Sequence, residues 1–264
     1  MMKFILILIS VFVLSSCDFI RDKFSSKEKV DDKSEIVDLS SSDKNLLNGK
    51  VRYKFPSGKL KSIVNYKDNI KVGISHVYYE SGEKQYEIPY VNGKKDGLVK
   101  WFYKSGKLYR STSYKKGLKH GLQKKYWESG KIKSKMLFES NMMCTGLEEI
   151  TKTGKVKAEP KIIVNHVNLL NKSNEYRLEL SLDKKYRSVE FYIGKLLDDK
   201  CLPVKASSYL SGLETKKGKA TFVINVPSGS RLSREIPIVA VAKTSYQNYY
   251  VLNTVVNVSV RNPN

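Results

Sequence analysis

Residues that commonly carry chemistry are scarce in this chain: 264 residues hold three histidines and three cysteines. His76, His120 and His166 are widely separated, with no His-x-x-x-His spacing and no paired carboxylates beside them. That pattern excludes the usual zinc sites and the arrangement of a nucleophile next to a base. There is also no phosphate-binding Walker loop and no dinucleotide fingerprint. The sequence therefore predicts no catalytic residue, no cofactor and no metal, and the protein reads as a non-enzyme. Asp183, Asp198 and Asp199 are the one acidic group that could draw a cation to loop tips, and carboxylates of this kind also serve turns. Acidic residues are themselves in deficit, 26 against 48 basic ones, for a net charge of +22.

The excess is uneven. Residues 1–48 carry 7 positive and 8 negative side chains, 49–158 carry 25 and 9, and 159–264 carry 16 and 9. Only 8 of the 48 cations are arginine, whereas reading of bases and phosphates favours the planar arginine fork. A lysine-rich surface instead favours diffuse attraction to anionic surfaces, weakened by salt. Nucleic acid is not an expected partner, because the N-terminus carries an export signal.

That signal begins with a basic Met1-Met2-Lys3, followed by an apolar run from Phe4 to Leu14. Eleven residues are too few to span a bilayer and fit a secretory leader over 1–16. Leu14-Ser15-Ser16-Cys17 resembles the lipobox of bacterial lipoproteins, which implies acylation of Cys17 and a lipid anchor on a membrane of the cell envelope. Residues 17–48, rich in Ser, Lys, Asp and Glu, cannot bury enough apolar surface to fold and read as a flexible tether of roughly 30 Å reach.

From 49 to 158 the chain repeats itself. Glycines recur at Gly49, Gly73, Gly97 and Gly121 and again at Gly58, Gly82, Gly106 and Gly130, and aromatics at Tyr66, Tyr90, Tyr114 and Phe138, all with a period of 24. Columns in phase at such a period mark units that stack on their neighbours. Each Ser-Gly pair between strand-like runs predicts a hairpin tip, and Asn69-Ile70, Asn92-Gly93 and Lys116-Gly117 predict the return turns. Four copies make an antiparallel meander of about eight strands, with a fifth, degenerate copy from Gly146 to Gly154 as a cap. The predicted tip pairs are Phe55 with Leu60, Tyr103 with Leu108 and Trp127 with Ile132, and further in Val51 with Val64 and Ser75 with Ile88. These residues share an apolar, buried face with the aromatic column. The opposite face carries Arg52, His76, Lys100 and Lys124 in register, with Lys54, Lys61, Lys133 and Lys135 beside them. This row is the candidate binding face; a solvated face kept soluble by lysine is the plainer reading.

The phrases Tyr78-Tyr79-Glu80-Ser81-Gly82-Glu83, Tyr90-Val91-Asn92-Gly93-Lys94-Lys95-Asp96-Gly97, Phe102-Tyr103-Lys104-Ser105-Gly106-Lys107-Leu108 and Lys119-His120-Gly121 resemble the MORN-variant repeats of YwqK-type antitoxin proteins. The resemblance implies an antiparallel repeat sheet that binds other proteins. His120 falls at a loop position that in this repeat type often holds His or Asp.

After Pro160 the columns vanish. Strand-like runs at Lys161–Leu170, Glu175–Leu182, Ser188–Lys195, Val204–Leu210, Lys219–Val226, Glu235–Thr244 and Tyr249–Val260 alternate with turn residues and predict a β-sandwich over 159–264. Val189–Gly194, Ala220–Pro227 and Ile238–Ala242 resemble bacterial immunoglobulin-like domains. Cys144 and Cys201, one in each folded part, could pair across the junction or remain thiols. The combined expectation is an all-β, membrane-anchored, non-catalytic envelope lipoprotein whose repeat sheet binds a protein or an anionic envelope component. The alternative is an immunity protein that neutralises a toxin in the envelope.

Overall fold

A computed structural model describes residues 46–203 and 209–263; Cys17, the leader and nearly all of the tether lie outside these. The first half is one antiparallel sheet. Its strands are β1 (Gly49–Lys54), β2 (Leu60–Lys67), β3 (Ile70–Lys71), β4 (Gly73–Tyr78), β5 (Lys84–Val91), β6 (Lys94–Lys95), β7 (Gly97–Phe102), β8 (Leu108–Lys115), β9 (Leu118–Tyr126), β10 (Ile132–Glu139), β11 (Met142–Met143) and β12 (Glu148–Glu149). The long strands follow in the order β1-β2-β4-β5-β7-β8-β9-β10, a meander in which each strand pairs with the one before it. His120 belongs to β9 rather than to a loop.

Two kinds of turn produce the 24-residue step. At the tips, the N–H groups of Phe55, Tyr79, Tyr103 and Trp127 donate to the carbonyls of Lys59, Glu83, Lys107 and Lys131, all at 2.8 Å, and Gly58, Gly82, Gly106 and Gly130 close the turn with positive φ. Nothing crowds Gly58, Gly82, Gly106 or Gly130, so their recurrence every 24 residues answers to the left-handed backbone alone. The extra tip residue shifts the register by one between Tyr53 and Lys54 and at the matching place in later copies, so Lys54, Phe102 and Tyr126 face Leu60, Leu108 and Ile132. The expected tip pairs of Phe55, Tyr103 and Trp127 are thus corrected by a bulge. Beyond it, Val51 faces Val64 and Ser75 faces Ile88, as the spacing predicts.

The return turns are Asp68-Asn69, Asn92-Gly93, Lys116-Gly117 and Ser140-Asn141, with both residues of each at positive φ. This is the geometry whose twist suits tight hairpins, and it moves the first return turn one residue upstream of Asn69-Ile70. The degenerate copy keeps the tip: Thr151 N–H donates to Lys155 O and Gly154 N–H to Thr151 O.

The second half comprises β13 (Ile162–Leu169), one helical turn α1 (Leu170–Ser173), β14 (Glu175–Leu182), β15 (Ser188–Gly194), β16 (Leu210–Leu213), β17 (Thr215–Lys216), β18 (Lys219–Asn225), β19 (Arg231–Lys243) and β20 (Tyr249–Arg261). They form two four-stranded sheets, β13-β14-β18-β17 and β16-β15-β19-β20. Alternating Leu178 and Leu180 of β14 share one buried core with Phe191, Ile236, Ile238 and Val258 of the other sheet. The strand expected at Val204–Leu210 lies mostly outside the described residues, and the described strand starts at Leu210. There Gly194 is obligatory, because a Cβ on it would sit 2.3 Å from the Tyr209 carbonyl oxygen.

The repeat sheet has a thinner core than its pattern suggests. The face of Val51, Val64 and Val99 also buries Ser75, Thr112, Gln123 and Lys125, so the expectation of a uniformly apolar face is corrected. Only near its end do Met136, Phe138, Met143 and Leu147 join the continuous core of the sandwich.

Candidate functional site

Strand pairing carries one row of side chains unbroken across the outer face of the repeats. Arg52 faces Ile63, Ile63 faces His76, His76 faces Glu87, and Glu87 faces Lys100; then Lys100 faces Ser111, Ser111 faces Lys124, and Lys124 faces Lys135. Arg52, His76, Lys100 and Lys124 thus stand on every second strand, about 9.6 Å apart at ordinary strand spacing. The residues between them, which the period-24 columns do not announce, decide the local charge. Glu87 accepts from Lys84 at 2.6 Å and from Lys100 at 3.1 Å, and His76 Nε2 lies 3.9 Å from its carboxylate. The Lys84 ammonium holds the Glu87 carboxyl below the ordinary glutamate range, and Lys100 adds to this against the opposing effect of burial. At the far end Lys135 pairs with Glu148 at 2.9 Å. The row is therefore compensated around β5 and at β12 and most strongly positive at Lys124.

The inner face shows what the aromatic column does. Tyr66, Tyr90, Tyr114 and Phe138 each oppose a glycine across the strand pair, Gly49, Gly73, Gly97 and Gly121. The ammonium groups of Lys71, Lys95 and Lys119 lie 5.5, 5.3 and 5.3 Å from the centroids of Tyr90, Tyr114 and Phe138. This lysine column, also of period 24, locks each ring to the preceding copy by cation–π attraction. A third series staples the tips. Tyr79 and Tyr103 hydroxyls donate to the carbonyls of Phe102 and Tyr126, both at 2.8 Å, and Trp127 Nε1 to Ile150 O at 3.1 Å.

The cap meets the sandwich through Glu149, which is buried. Its Oε1 accepts from Thr244 Oγ1 at 2.6 Å and Asn248 Nδ2 at 2.7 Å, and its Oε2 pairs with Lys157 at 3.0 Å. Lys125 donates from below to the carbonyls of Gln247 at 3.0 Å and Tyr246 at 3.4 Å. Burial pulls the Lys125 ammonium down to about 8, with Arg110 and Lys133 adding repulsion. Lys157 also lies 3.4 Å from the centroid of the Tyr246 ring, which packs edge-on against Trp127 at 5.2 Å. Cys144 and Cys201 form a disulfide across the same junction. Glu139 lies beside the bonded sulfurs, which leaves a lone carboxylate there rather than a set of metal ligands.

Of the other expected positions, Asp183 accepts from Lys161 N–H at 2.9 Å, and Asp198 and Asp199 occupy a turn at positive φ. Each therefore has a backbone role, and they do not converge. His166 Nδ1 hydrogen-bonds the Tyr176 hydroxyl at 2.9 Å. Among the described residues no helix is long and apolar enough to cross a membrane.

The family model for the MORN repeat variant matches residues 47–68, 71–92, 95–116 and 119–140. Each matched segment ends on the first residue of a return turn. The chain therefore carries four MORN-variant repeats, a repeat type often involved in binding. No curated protein matches it.

Proposed function

We propose that this protein is a non-catalytic, lipid-anchored component of the bacterial cell envelope whose repeat sheet binds an anionic envelope partner. The observation that carries this reading is the row from Arg52 through His76 and Lys100 to Lys124 and Lys135, presented by eight strands in one register. It crosses a segment with 25 basic and 9 acidic residues. A broad, lysine-rich face of this kind attracts extended anions by long-range electrostatics rather than by a shaped pocket. The lipobox-like run ending at Cys17 supports the anchor, and the Cys144–Cys201 bridge fits an oxidising compartment.

The sandwich is read as an immunoglobulin-like platform that supports the repeats. The orders β13-β14-β18-β17 and β16-β15-β19-β20 correspond to strands A-B-E-D and C′-C-F-G of that architecture.

The test uses the detergent-solubilised full-length protein. On an immobilised polyanion and in pull-downs from envelope extract, Lys100→Glu/Lys124→Glu should elute at clearly lower salt and recover less bound material than wild type. Retention unchanged by the double substitution would remove the reading. Neutralisation of an envelope toxin rests on the resemblance of the repeats to antitoxin-type proteins; it requires a neighbouring toxin gene that is harmful only when this gene is deleted.

A further inference from the structure

Beside the buried Glu149 lies a cavity of about 570 Å³, lined from the cap, from the β14–β15 connection, and from the end of β19 and the start of β20. Its volume is that of a small-molecule site. Its lining is strongly cationic: Lys185 and Arg187 come from the connection and Lys243 from β19, with Lys157 and Lys184 alongside. The one carboxylate in the lining, Glu149, is saturated by Thr244, Asn248 and Lys157. Lys184 is engaged with the Ala158 carbonyl at 3.0 Å. With Lys157 offsetting Glu149, Lys184, Lys185, Arg187 and Lys243 leave the lining net positive, with Glu159 and Asp183 acting on the wall tyrosines from outside it.

Tyr250 supplies a second and independent sign. It lines the cavity and is only 2 % exposed, yet its hydroxyl has no hydrogen-bond partner. Buried hydroxyls are nearly always paired, and leaving one unpaired costs as much as a lost hydrogen bond. A phenol that stays protonated can donate to an anion. Burial, with Glu149 and Tyr186 nearby, holds this one protonated well above the usual tyrosine range. The Tyr186 and Tyr250 rings, edge to face at 5.9 Å, form an apolar wall beside the polar groups.

We infer that the junction cavity binds the phosphoryl group of a small ligand, held by Arg187 and Lys185 and by a hydrogen bond from the Tyr250 hydroxyl, with Lys243 adding charge from the rim, where its ammonium lies over the Tyr249 ring. Arg187 contributes the planar fork that matches phosphate oxygens, and the lysines add point charge. The phosphoryl group comes either from a soluble phosphomonoester or from a lipid headgroup. The site is separate from the outer face of the repeats, so it stands or falls without the reading of Arg52, Lys100 and Lys124.

Full-length protein in detergent is titrated calorimetrically with inorganic phosphate and glycerol 3-phosphate, and in a separate arm with nanodiscs containing phosphatidate. Glycerol is the neutral control. Saturable binding of glycerol 3-phosphate identifies a soluble ligand, and binding of phosphatidate alone identifies a headgroup; either supports the inference. Lys185→Glu/Arg187→Glu should abolish binding, while Lys100→Glu/Lys124→Glu should leave it intact. Tyr250→Phe should weaken binding about tenfold without lowering the melting temperature, which separates a ligand-binding hydroxyl from a structural one. No saturable binding in either arm, or binding indifferent to Lys185 and Arg187, overturns the inference.

Discussion

Lys125 shows how a single side chain sets a pH response. Its position two residues from Gln123 on the inner face places an ammonium group where the strand pattern calls for an apolar one, at 6 % exposure. Two carbonyls accept from it, but burial outweighs them and the folded protein holds this proton less tightly than the unfolded chain does. The unfolded state therefore binds more protons between the folded value of about 8 and the ordinary lysine value, and stability rises with pH across that window. Urea unfolding at pH 7.5 and 9.5 should show a gain of about 2 kcal/mol in wild type and a clearly smaller one in Lys125→Met, where Lys133, also pulled down by burial, remains. Above about pH 10 the phenols of half-buried Tyr66 and buried Tyr192 and Tyr250, raised by desolvation, reverse the slope in both proteins.

At the scale of one hairpin, the polar ends of the tip aromatics reach the next copy, while the Tyr103 ring also packs edge-on against Tyr109 of its own. Tyr103→Phe removes one hydroxyl that donates to Tyr126 O and should cost about 1 kcal/mol in urea unfolding. Tyr79→Phe should cost about twice that, because the same hydroxyl also accepts from Trp101 Nε1 at 3.2 Å. Equal losses for the two variants would mean that the Trp101 contact adds nothing. These tip residues illustrate what the sequence makes legible. The glycine and aromatic columns announce turns and inner-face rings directly, because a turn needs positive φ and a strand alternates sides. Bulges at Tyr53 and Trp101 displace the tip pairs by one, which spacing alone does not reveal. The Lys71, Lys95 and Lys119 column was present in the sequence at the same period, but its rings lie 19 residues away and only the folded register joins them. Glu87 breaks the cationic row from a strand outside the column that carries Arg52, His76, Lys100 and Lys124. The contacts of Glu149 with Thr244 and Asn248 span 95 and 99 residues, beyond the reach of any local pattern.

Across the whole molecule, the repeats and the sandwich are joined by a shared core, the buried Glu149 and Lys125, and a disulfide. Cys144 and Cys201 are separated by 57 residues, and closing a loop of that size contributes about 2–4 kcal/mol. Cys144→Ser/Cys201→Ser should lose that amount in urea. Because Met136, Phe138 and Leu147 share the sandwich core, loss of the bridge should still leave a single unfolding transition; two separate transitions would show that the bridge, and not the core, unites the halves. The tip staples have one more consequence. Every anchor lands on the following copy, and the last lands on Ile150 of the cap. Excising 97–120 as a block should therefore splice Asp96 to Gly121 with the anchors still meeting their targets, giving a molecule narrower by about 9.6 Å. The protein is built like a ruler graduated in 24-residue marks, whose reach can evolve by whole divisions without redrawing either end.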